Sequence, residues 1–221
     1  LAEEETARLD AERARFEAEL VASASQPETE DVEVLAAVGE EIAREILTED
    51  DTRELIDLQL AAAGWEVDSR RLRHANGTRP QKNRNMAIAD WPTFTGPADY
   101  VLFIGLRPVG IIEAKRRTID IPGAIEQAKR YSRDYVDQGE GTETIGPWDD
   151  YKVPLLYSSN GRDYLKQLAT KSGVWFLDAR RANNHPRALV AWHSPDDLEQ
   201  LLTQDVDEAD LRLIADSSDY L

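Results

Sequence analysis

The chain has 221 residues, 41% of them hydrophobic, which suffices for one domain core with appendages. It contains no cysteine and only three histidines, His74, His185 and His193, without ligand spacing, so a disulfide scaffold and a thiolate zinc site are excluded and any metal chemistry must rely on oxygen donors. No apolar run approaches the roughly 20 residues that span a bilayer, and the opening residues are acidic rather than basic and then apolar, so a cytoplasmic protein with no membrane partner is expected.

Residues 1–22 mix small and apolar residues with Glu and Arg and lack Gly and Pro, the pattern of a solvated helix. SASQPETED reads as a linker, and Val32 to Leu47 returns to helical spacing. Thr48 to Asp51 is an N-cap with acids in the first turn of a helix over TEDDTRELIDLQLAAAG, which Gly64 can end. WEVDS is a short strand candidate. Residues 70–97 are polar, contain Gly and Pro, and show little periodicity, so a long functional loop is expected there. DYVLFIG and PVGIIEAK then read as two strands of an antiparallel hairpin. Pro122 opens a helix from Gly123 to about Tyr135; YKVPLLYSS, GVWFLD and RALVAW are strands, with a helix from Arg162 to Ala169 and closing helices from Pro195 onward. The alternation predicts an α/β fold, a mixed sheet flanked by helices with a helical N-terminal extension. Trp65, Trp175 and Trp192 are read as core.

The net charge of -17 is unevenly spread. Residues 1–63 carry 19 acids against five basic groups, whereas residues 69–133 carry thirteen basic groups against five acids. A local basic segment matters more for phosphate contact than the whole-chain charge, although a solvated Arg-rich loop would give the same count. Inside this segment lie three ionisable groups where aliphatic side chains are expected. Asp99 opens the first hairpin strand, and Glu113 and Lys115 close the second. Burying an ionised carboxylate costs several kcal/mol or more unless it is paired or metal-bound. Strand alternation puts Glu113 and Lys115 on one face and Ala114 on the other, and Asp99 can share the former. Two carboxylates at ~4 Å repel by about 1 kcal/mol in water and ~4 kcal/mol at an effective dielectric of about 20. A divalent cation removes that repulsion, and Mg²⁺ takes one or two carboxylates with water and phosphate. Lys115 could then stabilise developing charge on the phosphate. The alternative is a surface cross-strand ion pair. Gln127 and Tyr131, four apart, share one helical face.

Asp99 in A-D-Y, then Glu113-Ala114-Lys115, then Gln127-x-x-x-Tyr131 resemble the PD-(D/E)xK nuclease superfamily, including the Q-x-x-x-Y element of its RecB-like members. TEDDTRELIDLQLAAAGWEVD, GTRPQKNRNMAIADWPT, GPADYVLFIGLRPVGIIEAKR, AIEQAKRYSRDY and VPLLYSSNGRDYLKQLATKSGVWFLDARR together resemble the N-terminal nuclease region of the restriction (R) subunit of type I restriction-modification enzymes. The likeness runs from about Leu47 to the C-terminus and departs from the superfamily pattern at Ala98, where Pro is usual. It implies a nuclease domain over residues 47–205, with 1–46 as the N-terminal extension and 206–221 leading toward a motor.

The resemblance also implies roles. Asp99 and Glu113 would coordinate Mg²⁺ with the Ala114 carbonyl as a further ligand, Lys115 would be the catalytic lysine, and Gln127 and Tyr131 would support it. Glu54 is the candidate helical acid, equally readable as a first-turn acid favoured by the helix dipole. Arg79, Lys82, Arg84 and Asn85, with Arg116 and Arg117, would grip double-stranded DNA; surface decoration is the other reading. Methylation (M) and specificity (S) subunits are the implied partners. The family's ATP motor has no counterpart here, since no G-x-x-x-x-G-K-[ST] segment occurs, so the chain is expected to be an N-terminal piece without ATPase activity. A Mg²⁺-dependent endonuclease stands against a non-cleaving nuclease-fold module that docks DNA or subunits; a small-molecule enzyme lacks a phosphate loop and a nucleophile–base pair.

Overall fold

The computed structural model describes residues 49–116, 121–137, 142–143, 145–164 and 173–204. The expected N-terminal helices, their linker, Thr48, Arg117, the later part of the 162–169 helix and the 206–221 segment lie outside them.

Helix α1 (Glu49–Ala62) buries Thr52, Ile56 and Leu60 on one stripe at i, i+4 and i+8. It ends as the sequence suggests: Gly64 adopts φ +95° and the Trp65 N–H returns to the Leu60 carbonyl at 3.0 Å. Seven strands follow in one sheet whose spatial order equals their chain order. They are β1 (Glu66–Val67), β2 (Asn85–Thr93), β3 (Gly96–Ile104), β4 (Arg107–Ala114), β5 (Leu155–Ser159), β6 (Val174–Asp178) and β7 (Arg187–Ala188). The β1–β2 and β4–β5 pairs are parallel and the others antiparallel, giving a mixed sheet. Helix α2 (Ile125–Arg133) lies between β4 and β5, after a 3₁₀ turn at Pro122–Ala124. Helix α3 (Pro195–Thr203) closes the described chain behind a capping box of Ser194 and Asp197.

Strand alternation sorts the core into two layers. Ala87, Ala89, Tyr100, Leu102, Ile112, Ala114 and Tyr157 pack with Ile56 and Leu60 of α1 and Leu198 of α3. Met86, Ile88, Val101, Phe103, Ile111 and Leu156 face the other way, toward Ile125, Ala128 and Tyr131 of α2. The fold is α/β/α, as read from the sequence, and consistent with a restriction-endonuclease-like architecture.

The expected long loop over 70–97 is corrected. Its second half is the nine-residue β2, paired with β3 from Asn85↔Ile104 to Thr93↔Gly96. NMAIADWPT is poor in β-formers, and β1 and β3 on its two edges hold it in the sheet. RALVAW is also shorter than expected: only Arg187 and Ala188 form strand, after which the exposed Val190 leaves the sheet and Trp192 turns back into the core. Trp65 is buried, and Trp175 is half-buried.

Candidate active site

The β3–β4 hairpin brings the predicted acids together. Its register runs through Tyr100↔Ile112, and one step further along both strands lie Asp99 and Glu113, at the end of the sheet next to α2. The Ala114 N–H donates to Asp99 Oδ2 at 2.7 Å, which fixes the first carboxylate against the backbone of the second strand. Glu113 is only 2% exposed. Lys115 Nζ pairs with its Oε1, while Oε2 is buried without a hydrogen-bond partner among the described residues.

Lys115 is held from two directions. Its N–H donates to the Ser159 carbonyl at 2.7 Å, extending the β4–β5 ladder beyond the strand end. Its ammonium donates to Gln127 Oε1 at 2.9 Å, and Gln127 Nε2 donates to the Tyr131 hydroxyl at 2.7 Å. The four-residue spacing on α2 therefore makes a relay from Tyr131 through Gln127 to Lys115 and Glu113. Ala114 packs on the opposite face with Ile56 and Leu60, as alternation requires.

The electrostatics follow from this crowding. Burial and the neighbouring Asp99 charge push the Glu113 carboxyl up to about 7, with Lys115 acting against them. Burial also raises Asp99, opposed by Arg53 and the Ala114 N–H. Burial raises the Tyr131 hydroxyl as well, so it remains a proton donor at neutral pH.

Sequence reasoning missed a second row of charges. Arg53 of α1 pairs with Asp99 Oδ1 and donates to Asp90 Oδ1 at 3.0 Å; Arg73 pairs with the other Asp90 oxygen. Burial opposes the Arg53 charge, but Asp99 and Asp90 outweigh it and raise its pKa. The available signal was a lone cation on a helix whose other charged residues are all acidic.

Other predicted residues go elsewhere. Glu54 pairs with Arg70 and is not brought to Asp99 and Glu113. Arg84 pairs with Glu66 and Gln81, and Asn85 begins β2 at the end of the sheet opposite Asp99. Arg79 donates to the carbonyls of His74 and Thr78. Lys82 and Arg116 are exposed. A different, mainly basic surface adjoins the acids: a cavity of about 540 Å³ lined by Lys115, Gly123, Gln127, Arg130 and Arg133 together with the acidic Glu126. Arg133 is oriented by Asp150 and Tyr151, whereas the exposed Arg130 side chain has no ion pair among the described residues.

Among the described residues no group of three or more His, Asp or Glu gathers to hold a metal. The pair nevertheless suits a hard cation: a buried carboxylate, with one oxygen partnerless among the described residues, beside a part-buried one, offers oxygen donors whose mutual repulsion a divalent ion relieves.

The family model for the second domain of the type I restriction enzyme EcoKI endonuclease subunit matches residues 66–202. The chain is also 40% identical over 185 residues to the type I restriction enzyme EcoKI endonuclease subunit of Escherichia coli strain K12, covering 71% of this chain and 16% of that protein. It thus spans about one sixth of the length of that relative. No solved structure matches at a significant level.

Proposed function

The chain belongs to the family of type I restriction enzyme endonuclease subunits, and on that premise we propose that it is the DNA-cleaving unit of such a subunit, a Mg²⁺-dependent endonuclease hydrolysing phosphodiester bonds. The observation that carries the reading is the meeting of Asp99, Glu113 and Lys115 at one end of the sheet, with a buried Glu113 oxygen that has no hydrogen-bond partner among the described residues. Asp99 and Glu113 would hold Mg²⁺, which would polarise the scissile phosphate and lower the pKa of its bound water.

The chain's own groups supply the rest. The Ala114 N–H orients Asp99, and the Ser159 carbonyl fixes the main chain that presents Lys115. The Lys115 ammonium, aimed by Gln127 and Tyr131, faces the cavity and can meet a non-bridging phosphate oxygen as charge develops on it. Arg130 and Arg133 extend that positive lining along the path a DNA strand would take. Double-stranded DNA is the proposed substrate, with methylation (M) and specificity (S) subunits as partners in the assembled enzyme.

Calorimetric titration with Mn²⁺ tests this reading. Binding is expected in the wild-type chain and is expected to vanish in Asp99→Ala and Glu113→Ala; binding that survives in both refutes the assignment. One observation favours a docking module instead: each carboxylate already has an internal counter-cation, Arg53 or Lys115. On that reading Lys115→Ala leaves DNA cleavage by the reconstituted enzyme unchanged.

A further inference from the structure

Arg53 is a cation in contact with Asp99 that no catalytic role uses, and its surroundings are specific. Its side chain is 17% exposed, and those of its two partners, Asp90 and Asp99, are 15% and 13% exposed. One guanidinium nitrogen takes Asp90 and the other takes Asp99. Asp90 has a second cation in Arg73 and does not depend on Arg53 for compensation. Asp99 has no other cation in direct contact among the described residues.

The backbone is arranged for this contact. Asp90 adopts φ +52° within β2, in the left-handed region that L-residues in strands rarely enter and that Asp tolerates better than most. The turn of α1 carrying Arg53 is tied to β3, because the Tyr100 hydroxyl reaches the Arg53 carbonyl at 3.3 Å and Asp57 Oδ1 at 2.9 Å. A fixed helix turn and a bent strand thus deliver one guanidinium to Asp99 Oδ1, the oxygen that the Ala114 N–H leaves free.

We propose that Arg53 is the resident counter-ion of the candidate metal site, held on Asp99 until a divalent cation displaces it, with Asp90 retaining the guanidinium afterwards. The inference rests on the reading of Asp99 and Glu113 as metal ligands. A monovalent and a divalent cation on the same carboxylate oxygen repel strongly in a partly buried setting, so the two exclude each other. Displacement does not release Arg53 into solvent, since its Asp90 contact involves a different nitrogen. In this role Arg53 is a positioning residue: it holds the Asp99 carboxylate in place while no metal is bound.

The test is Mn²⁺ titration by calorimetry on the full chain, with thermal unfolding in chelator and in Mn²⁺. Arg53→Gln is expected to bind Mn²⁺ roughly tenfold more tightly than wild type, equivalent to about 1.4 kcal/mol. It is also expected to melt lower in chelator and to recover in Mn²⁺ by more than wild type does. Asp90→Asn leaves Arg53 with Asp99 alone and is expected to weaken Mn²⁺ binding. If Arg53→Gln does not fold, Arg53→Lys, which cannot span both carboxylates, is expected to bind more tightly than wild type. Equal or weaker binding by the folded Arg53 variant overturns the proposal while leaving the metal reading intact. Absence of binding by the wild-type chain overturns both.

Discussion

Replacing Glu113 by Gln should stabilise the metal-free protein. The carboxyl is pushed from 4.5 up to about 7 by burial and by Asp99, and at roughly 1.4 kcal/mol per pKa unit its ionisation opposes folding by about 3 kcal/mol at pH 8. A group whose pKa is raised in the folded state is favoured uncharged: its contribution is intact below 4.5 and is lost as pH rises through about 7. Gln keeps the shape without the charge. The opposing pull of Lys115 on the carboxylate is already contained in that shift, so losing the ion pair subtracts nothing further. The gain is about 3 kcal/mol, or roughly 6–12 °C for a domain of this size. Circular-dichroism melts in chelator at pH 8 and pH 5 measure it: the variant should melt higher at pH 8, and the difference should shrink by most of its size at pH 5. A variant that melts at or below wild type at pH 8 would refute the claim that the two acids strain the empty site.

Three further outcomes follow from other parts of the molecule. His193 sits against Tyr157, with hydroxyl to Nδ1 at 2.9 Å, and burial together with the Arg187 charge lowers its pKa; its contribution is full above 6.5 and is lost as pH falls, so the drop in melting temperature from pH 7 to pH 5 should flatten in His193→Gln. A Cβ at Gly110 would come within 3.0 Å of Leu102 Cδ1 and 3.3 Å of the Leu155 carbonyl oxygen, so Gly110→Ala should cost about 1–3 kcal/mol in denaturant unfolding. Lys115→Met should abolish Mg²⁺-dependent nicking of plasmid DNA while leaving calorimetric Mn²⁺ binding in place, because the lysine is assigned to the phosphate and not to the metal.

The hairpin and its acids were legible because apolar runs interrupted by charge carry two signals at once: VLFI and VGII mark buried strands, and Asp99, Glu113 and Lys115 violate them at one end. Helix α1 was legible from its stripe and from Gly64. What escaped was decided by partners distant in the chain. Asn, Ala, Asp and Pro in NMAIADWPT argue locally for loop, and only pairing with β3 makes the segment a strand. Glu54 and Arg53 are neighbours on the same helix, and the sequence offered the acid as the metal-site residue; the structure sends Glu54 to Arg70 and puts Arg53 on Asp99. The basic loop was legible as charge but not as direction, since a count of Arg and Lys does not tell that Arg84 has Glu66 beside it.

The double anchoring of Lys115 separates the site mechanically into two halves. The anionic half is a local object, a hairpin whose acids are fourteen positions apart, with the Asp99 carboxylate accepting from the Ala114 N–H next to Glu113. The cationic tip answers to Gln127, so a tilt or slide of α2 would swing the ammonium while the carboxylates stay put. Whatever grips the outer surface of that helix therefore holds a throttle on the lysine and on the arginines beside it, and not on the acids.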